Sequence, residues 1–361
     1  MDFASDNAGG ASPRILDAIV AANGGFTPAY GEDDYTRAAT KMLSDTFERP
    51  CAVFLVATGT AANALALAAV TPPWGAVFCH EDAHISDDEC GAPEFFSGGA
   101  KLVGLHGPHG KITPEILAAT LAKYPRGLVK QVQPAALSLA QATECGAVYS
   151  PAETARLADL AHEAGLAVHM DGARFANAVE ALGCTPAQAS WQAGVDVLSF
   201  GATKNGALAC EAVIVFDPDR AADLAFRRKR AGHTLSKGRF LGAQMKAYLE
   251  GGHWRELARA ANAAATRLAD GLAAIPGVRM PWPRQINEVF VVIPAAMDRA
   301  LRQAGARYHD WGVRGLTPMQ EPGADEVFVR LVASCSTTAE QVDGFLRVAR
   351  AAAGRQGRPT Y

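Results

Sequence analysis

The stretch V-D-V-L-S-F-G-A-T-K-N-G, residues 195–206, reads as an apolar strand over 195–200 that ends on small residues and carries Lys204 to its tip. A short way upstream, M-D-G-A-R-F-A-N, residues 170–177, closes a second apolar run, 167–170, on Asp171. Working outward, short apolar runs at Ala52–Val56, 76–79, 167–170, 195–200 and 212–216 alternate with Ala/Leu-rich helical stretches at 61–69, 114–122 and 151–164. Such alternation predicts an α/β fold with a mostly parallel sheet. Ligands of these sheets gather at the carboxyl ends of the strands, where Asp171 and Lys204 both fall.

Farther along, residues 254–275 are dense in Ala, Leu and Arg with helical period, close on Pro276-Gly277, and precede two strand-like runs at 288–293 and 327–333. This pattern predicts a smaller C-terminal α+β domain. The expected division is a large domain with an N-terminal arm, residues 1–250, followed by a small one, residues 251–361. The loose segment is 316–326, rich in Pro, Gly and acids.

At 361 residues and about half apolar, the chain can bury a sizeable core. A net charge of −3 and a pI near 6.3 argue against nucleic acid or an anionic membrane as partner, and for a small molecule. No apolar run approaches the roughly 20 residues of a membrane span, and the first residues lack a leader's basic start and apolar core. The expectation is a cytoplasmic protein. Seven cysteines, without C-x-x-C spacing and several in apolar stretches, read as small buried hydrophobes rather than a disulfide frame or a metal cage.

An Asp closing one strand and a Lys closing a later one suit pyridoxal phosphate. The carboxylate holds the pyridine nitrogen protonated and the amine forms a Schiff base. The flanks of Lys204 are small and almost uncharged, so the amine is expected to be partly desolvated. Thr58-Gly59-Thr60-Ala61-Ala62-Asn63 follows a strand and opens a helix, bringing backbone N–H groups and two hydroxyls to the positive end of a helix dipole, a phosphate cradle. Arg174 and Arg330 are the candidates for a substrate carboxylate, because the planar guanidinium matches it with two parallel hydrogen bonds. Arg330 lies inside an apolar strand, where its charge needs either a ligand carboxylate or a structural acid.

His80-Glu81-Asp82-Ala83-His84 matches H-E-x-x-H, but the zinc mechanism needs both His on one helical face and a third ligand downstream. Here the motif follows directly on a strand and no third ligand is evident, so no metal is expected. His84 is more useful as a flat ring at a strand end, able to stack on an aromatic cofactor. The basic run Arg227-Arg228-Lys229-Arg230, with Lys237 and Arg239, is either a solvated helix face or a source of one or two cations for a phosphate, across a subunit boundary.

Together these residues resemble the fold-type I pyridoxal phosphate enzymes, and most closely the low-specificity L-threonine aldolases of the β-eliminating lyase group. The resemblance runs through Ser5-Asp6-Asn7, Tyr30-Gly31 with Asp33-Asp34, the cradle at 58–63, Ala83-His84, 170–177, 199–206, Arg228-Lys229 and Val329-Arg330-Leu331-Val332. It implies that Lys204 holds the cofactor, Asp171 pairs with its pyridine nitrogen and His84 stacks on its ring. Gly59, Thr60 and Arg239 would bind its phosphate, with Arg174 also in the cofactor's surroundings. Ser5, Tyr30, Arg174 and Arg330 would serve the substrate. It implies a homodimer or a homotetramer with shared active sites.

One departure stands out: where some members carry T-H-N-G, this chain has Thr143-Glu144-Cys145-Gly146, so Glu144 replaces a His near the substrate hydroxyl. The segment 316–326 is also longer than the family pattern. The implied reaction is cleavage of L-threonine, L-allo-threonine and related β-hydroxy-α-amino acids to glycine and an aldehyde, the β-hydroxyl proton passing to His84, Glu144 or an ordered water. Cleavage of β-aryl serines or amino acid racemisation on the same scaffold is the nearest alternative, since fold does not decide chemistry. A zinc hydrolase using His80 and His84, or a cofactor binder without catalysis, stands further off.

Overall fold

The computed structural model describes residues 1–356. Seven strands form one sheet: β1 (Ala52–Val56), β2 (Gly75–His80), β3 (Lys101–Leu105), β4 (Gln133–Ala140), β5 (Ala167–Gly172), β6 (Val197–Gly201) and β7 (Glu211–Val215), in the order β1-β7-β6-β5-β4-β2-β3. The pairs β2–β3, β2–β4, β4–β5 and β5–β6 are parallel, whereas β7 runs antiparallel to both β6 and β1. All strands but β7 therefore point their carboxyl ends at the same edge, and β7 starts there. That edge carries the site.

The expected α/β architecture is the one observed, but β3 and β4 have no counterpart among the runs read from the sequence. The strand β4 is central, yet its sequence Q-P-A-A-L-S-L-A is built of small residues with low strand propensity. Its small side chains suit a tight site: a Cβ built on Gly75 would lie 3.0 Å from the Cβ of Ala135. The run predicted at 195–200 begins as a strand two residues later, at Val197. Asp196 is occupied instead, its Oδ2 accepting the Val168 N–H at 2.8 Å and pinning the start of β5.

Helix Gly59–Val70 is apolar nearly all round, as a helix buried on all sides should be. Its Ala61, Ala62, Leu65 and Ala66 pack on Val197, Val213 and Val215 of the sheet. Below the site, Phe200 is the last bulky residue before Lys204, with Phe47 and Trp254 each edge-on at 5.8 Å. Burying each such ring contributes about 1.5–3 kcal/mol, so the turn that carries the lysine stands on a rigid floor.

A second, antiparallel sheet has the order β8-β10-β9, formed by β8 (Glu288–Pro294), β9 (His309–Asp310) and β10 (Glu326–Val332). Its core is shared with helices His253–Ala273 and Ala339–Gln356. Phe3 belongs to this core, edge-on to Phe345 at 5.3 Å, and its carbonyl accepts the Val332 N–H at 2.8 Å. The N-terminal arm, grouped by sequence with the large domain, is thus packed into the small sheet before it reaches the site at Ser5 and Asp6.

Candidate active site

A cavity of about 490 Å³ opens at the carboxyl edge of the large sheet. The cradle forms one wall. Thr58 caps helix Gly59–Val70, its side chain accepting the Ala61 N–H at 3.1 Å. The first-turn N–H groups of Gly59 and Thr60 have no partner within the helix and lie at its positive end. A Cβ on Gly59 would meet nothing within 4 Å, so the backbone there stands open.

Lys204 sits on a 3-10 turn, Thr203–Asn205, and lines the cavity without an ion pair among the described residues. The turn is held from below by its neighbours. Asn205 Nδ2 donates to Tyr248 Oη and to the Trp254 carbonyl, both at 2.8 Å, and Thr203 Oγ1 accepts the Cys210 N–H at 3.1 Å. From β7, Glu211 Oε2 accepts the Ala202 N–H at 2.8 Å. Burial pushes the Glu211 carboxyl up to about 7 against the lowering effect of these hydrogen bonds and of Lys204.

Asp171 ends β5 beside Gly172, where a Cβ would lie 2.8 Å from the Ser199 carbonyl, so no other residue fits without a shift. Its Oδ1 accepts the Ala173 N–H at 3.0 Å and its Oδ2 accepts Asn63 Nδ2 at 2.8 Å. Asn63 also donates to Glu89 Oε1 at 2.8 Å, and the same oxygen lies 2.8 Å from His84 Nδ1. The Glu89 hydrogen bond raises the His84 pKa, outweighing the lowering effect of burial. Glu144 Oε1 accepts the His84 backbone N–H at 2.8 Å, while its Oε2 is buried without a partner. Burial, with a smaller contribution from Asp171, pushes the Glu144 carboxyl up to about 7.

Sequence reasoning missed Asn63 as a bridge and missed Glu89 and Glu211. The signal for Asn63 was available: it is the one amide in the alanine-rich run 59–70. Beneath Asp171, His169 is held between Ser138 Oγ at 2.9 Å and Ser199 Oγ at 3.0 Å, and burial lowers its pKa to about 4, leaving a neutral ring.

On the far wall, Arg174 makes a bidentate pair with Asp6 at 2.7 and 3.1 Å and stands 3.4 Å from Glu288. Burial would raise the Asp6 carboxyl, but Arg174 and Lys204 hold it below its ordinary value. Arg330 enters from β10, its guanidinium 4.4 Å from the centre of the Trp311 ring and its Nε unpartnered. Burial lowers its pKa. Ser5, Gly59, Thr60, His84, Glu144, Asp171, Arg174, Lys204 and Arg330 thus line one cavity.

Tyr30 and Arg239 do not line it. Tyr30 is half exposed with the Lys229 ammonium 4.8 Å from its ring centre, and Arg239 donates to the carbonyls of Gly24 and Gly25. Within one chain, the roles expected of these two residues are therefore not met. His80 also departs from the metal motif: its Nε2 lies 3.0 Å from the Gly107 carbonyl and its Nδ1 accepts the Asp82 N–H at 3.1 Å. Among the described residues, no group of three or more His, Cys, Asp or Glu is arranged to hold a metal ion.

The family model described as beta-eliminating lyase matches residues 2–296. A low specificity L-threonine aldolase of Pseudomonas aeruginosa is 44% identical over 307 residues, 85% of this chain and 88% of its own. Another, from Pseudomonas sp., is 42% identical over 333 residues, 92% of this chain and 96% of its own. Among solved structures, the threonine aldolase of Leishmania major superposes with a TM-score of 0.89 at 26% identity, over 98% of this chain and 99% of that one. A serine palmitoyltransferase of Sphingomonas wittichii, at 16% identity and a TM-score of 0.71 over 99% of this chain and 88% of that one, shares the fold.

Proposed function

Because the chain belongs to the beta-eliminating lyase family, we propose that it is a pyridoxal phosphate-dependent aldehyde-lyase that cleaves L-threonine, L-allo-threonine and related β-hydroxy-α-amino acids to glycine and an aldehyde. The observation that carries the reading is the meeting of Lys204 from the turn after β6, Asp171 from the end of β5 and Arg330 from β10 in one cavity of about 490 Å³. The residues fit the cofactor. Gly59 and Thr60 offer open N–H groups at a helix start for the phosphate, Lys204 offers the amine, and Asp171 offers a carboxylate fixed by Asn63 for the pyridine nitrogen. His84, tethered to Glu89, presents its ring to the same space. When bound, pyridoxal phosphate supplies an electron-accepting ring that stabilises negative charge at the substrate Cα.

The chain's own residues do the rest. Arg330 and Arg174 fix the substrate carboxylate and so set which bond at Cα faces the ring, the choice that separates Cα–Cβ cleavage from racemisation. Ser5 adds a hydroxyl on the same wall. Glu144 lines the cavity and has one carboxylate oxygen without a partner and a pKa near neutrality; it takes the β-hydroxyl proton. Glycine release from threonine, allo-threonine and phenylserine tests the reading; a holoenzyme that releases none from any of the three is not an aldolase.

For Glu144 the sign follows from the base being active when ionised. The kcat/KM for threonine rises with pH through about 7 and then levels. Glu144→Gln removes that limb and costs about 100-fold or more. A variant that keeps both rate and limb would assign the proton to another group.

The assembly belongs to the same proposal: a homodimer or homotetramer in which Tyr30 and Arg239 reach the cavity of a second copy. Their position off their own chain's cavity supports it. Mixing inactive Lys204→Ala and Arg239→Ala proteins should restore part of the activity in hybrids; proven subunit exchange without recovery argues against a shared site. A two-domain division is supported by separate cores under the two sheets, with helix His253–Ala273 joining them: its Trp254 and Ala258 pack into the large core and its Ala265 and Leu268 into the small one. No helix of the described residues is long and apolar enough to cross a membrane, and a cytoplasmic location completes the proposal.

A further inference from the structure

Glu288 opens β8 directly opposite Val332 of β10, and Arg330 lies two residues before Val332. Side chains alternate along a strand, so Glu288 and Arg330 project from the same face of the antiparallel pair as diagonal neighbours, within reach of two long side chains. Glu288 is fully buried, with 0% of its side chain exposed, and neither carboxylate oxygen has a hydrogen-bond partner. Its nearest cation, Arg174 Nη2 at 3.4 Å, is already hydrogen-bonded to Asp6, which also accepts Asn287 Nδ2 at 3.1 Å. Glu288 does not line the cavity; Arg174 and Arg330 do. It stands behind both guanidiniums.

Charge balance gives this position a consequence. In the holoenzyme Lys204 is committed to the cofactor, so the charges that remain are Asp6 and Glu288 against the two guanidiniums; with both acids ionised these already balance, and an arriving carboxylate leaves the buried cluster one negative charge in excess. With Glu288 protonated, Asp6 and the arriving carboxylate balance the same pair. A buried unpaired charge is far costlier than a proton taken from water near neutral pH.

We infer that Glu288 is a proton-linked positioning residue: binding of a carboxylate at Arg330 and Arg174 is accompanied by uptake of one proton on Glu288, which frees both guanidiniums to face the ligand. The inference rests on the reading that these arginines take the substrate carboxylate.

The groups facing Glu288 agree with this. Burial raises its pKa, and Asp6 from the N-terminal turn adds to the rise. Arg174 from the start of helix Phe175–Leu182, Arg330 from β10 and Lys204 from the turn after β6 oppose it without cancelling it. From the turn after β4, Gly146 closes the remaining side, where a Cβ would lie 3.4 Å from that of Glu288. An added negative charge on the guanidiniums pushes in the same direction as burial. Affinity for a carboxylate is therefore highest where Glu288 is already protonated in the free protein, and it falls as pH rises toward the higher pKa of the bound form.

The test uses the holoenzyme and 3-hydroxybutanoate, which carries the carboxylate and the hydroxyl but no amine to react. Calorimetric titrations over roughly pH 6 to 9, in buffers of different ionisation heat, count the protons exchanged on binding. Wild type takes up a proton over part of this range and its Kd weakens on the order of tenfold across it, within the usual scale of coupled binding. Glu288→Gln shows no uptake and a flat Kd, tighter than wild type at the alkaline end. Binding by wild type with no uptake, or uptake that persists in Glu288→Gln, overturns the inference. The wild-type count needs no variant, and Glu288→Met repeats the test with an uncharged side chain should Gln fold poorly. Arg330→Ala separates the two levels: if it binds 3-hydroxybutanoate as wild type does, or if wild type gives no binding heat, the carboxylate-site reading fails. If it loses binding while wild type takes up no proton, that reading stands and the role of Glu288 falls.

Discussion

Lys204→Ala will yield a folded protein whose formation of glycine from threonine is lower by about 10,000-fold or more, the scale of losing a covalent catalytic group. The fold should survive because the turn is anchored by its neighbours, Asn205 through Tyr248 and Trp254, and Thr203 through Cys210. The lysine itself makes no ion pair among the described residues that its loss would break. Borohydride reduction of the wild-type holoenzyme followed by tryptic mapping should place the pyridoxyl group on Lys204. Label on another lysine sinks the assignment, whatever the activity of the variant.

Asp171→Asn comes second, at a cost of roughly several kcal/mol in the barrier, because a neutral amide cannot hold the ring nitrogen protonated when charge develops at Cα. Cofactor binding should persist, since the phosphate wall at Gly59 and Thr60 is untouched. The local geometry sharpens the expectation. Asp171 accepts from both Asn63 Nδ2 and the Ala173 N–H, so an amide can satisfy only one of these donors with its oxygen and must set its NH2 against the other. The cofactor's visible spectrum should therefore shift together with the loss of rate. Near-full activity with an unchanged spectrum would falsify the role.

Those two residues are legible in the amino-acid sequence because each closes an apolar run of strand length, and a strand end in a parallel sheet is a ligand-facing position whatever the rest of the fold. The cradle is legible for the same reason. What stays hidden is what depends on contacts between distant segments. Glu89 matters because Asn63 and His84 converge on one of its oxygens, and nothing in D-D-E-C-G foretells that. Glu288 has the look of an ordinary strand-opening acid until β10 brings Arg330 alongside. The strand β4 is hidden by composition: in Q-P-A-A-L-S-L-A no residue is β-branched or aromatic, and a run of Ala, Leu and Ser after a Pro reads as helix or loop. Tyr30 and Arg239 show the opposite failure. Their motif is visible in the sequence, yet in the fold of one chain both lie off the cavity.

The path of the first residues bears on how the protein is made. Phe3 donates its N–H to the Arg307 carbonyl and accepts the Val332 N–H, both at 2.8 Å, while Asp6, three positions on, is clasped by Arg174 and Asn287. The last strand of the large sheet, β7, is complete at residue 215, whereas the strand that pairs with Phe3, β10, is not made until residue 332. Until then Arg330 does not exist, and the backbone of Phe3 lacks the Val332 N–H that anchors it next to Asp6. If the residues act as proposed, the cradle at Gly59 and Thr60 and the carboxylate of Asp171 are in place in the chain well before the arginine that would receive the substrate carboxylate.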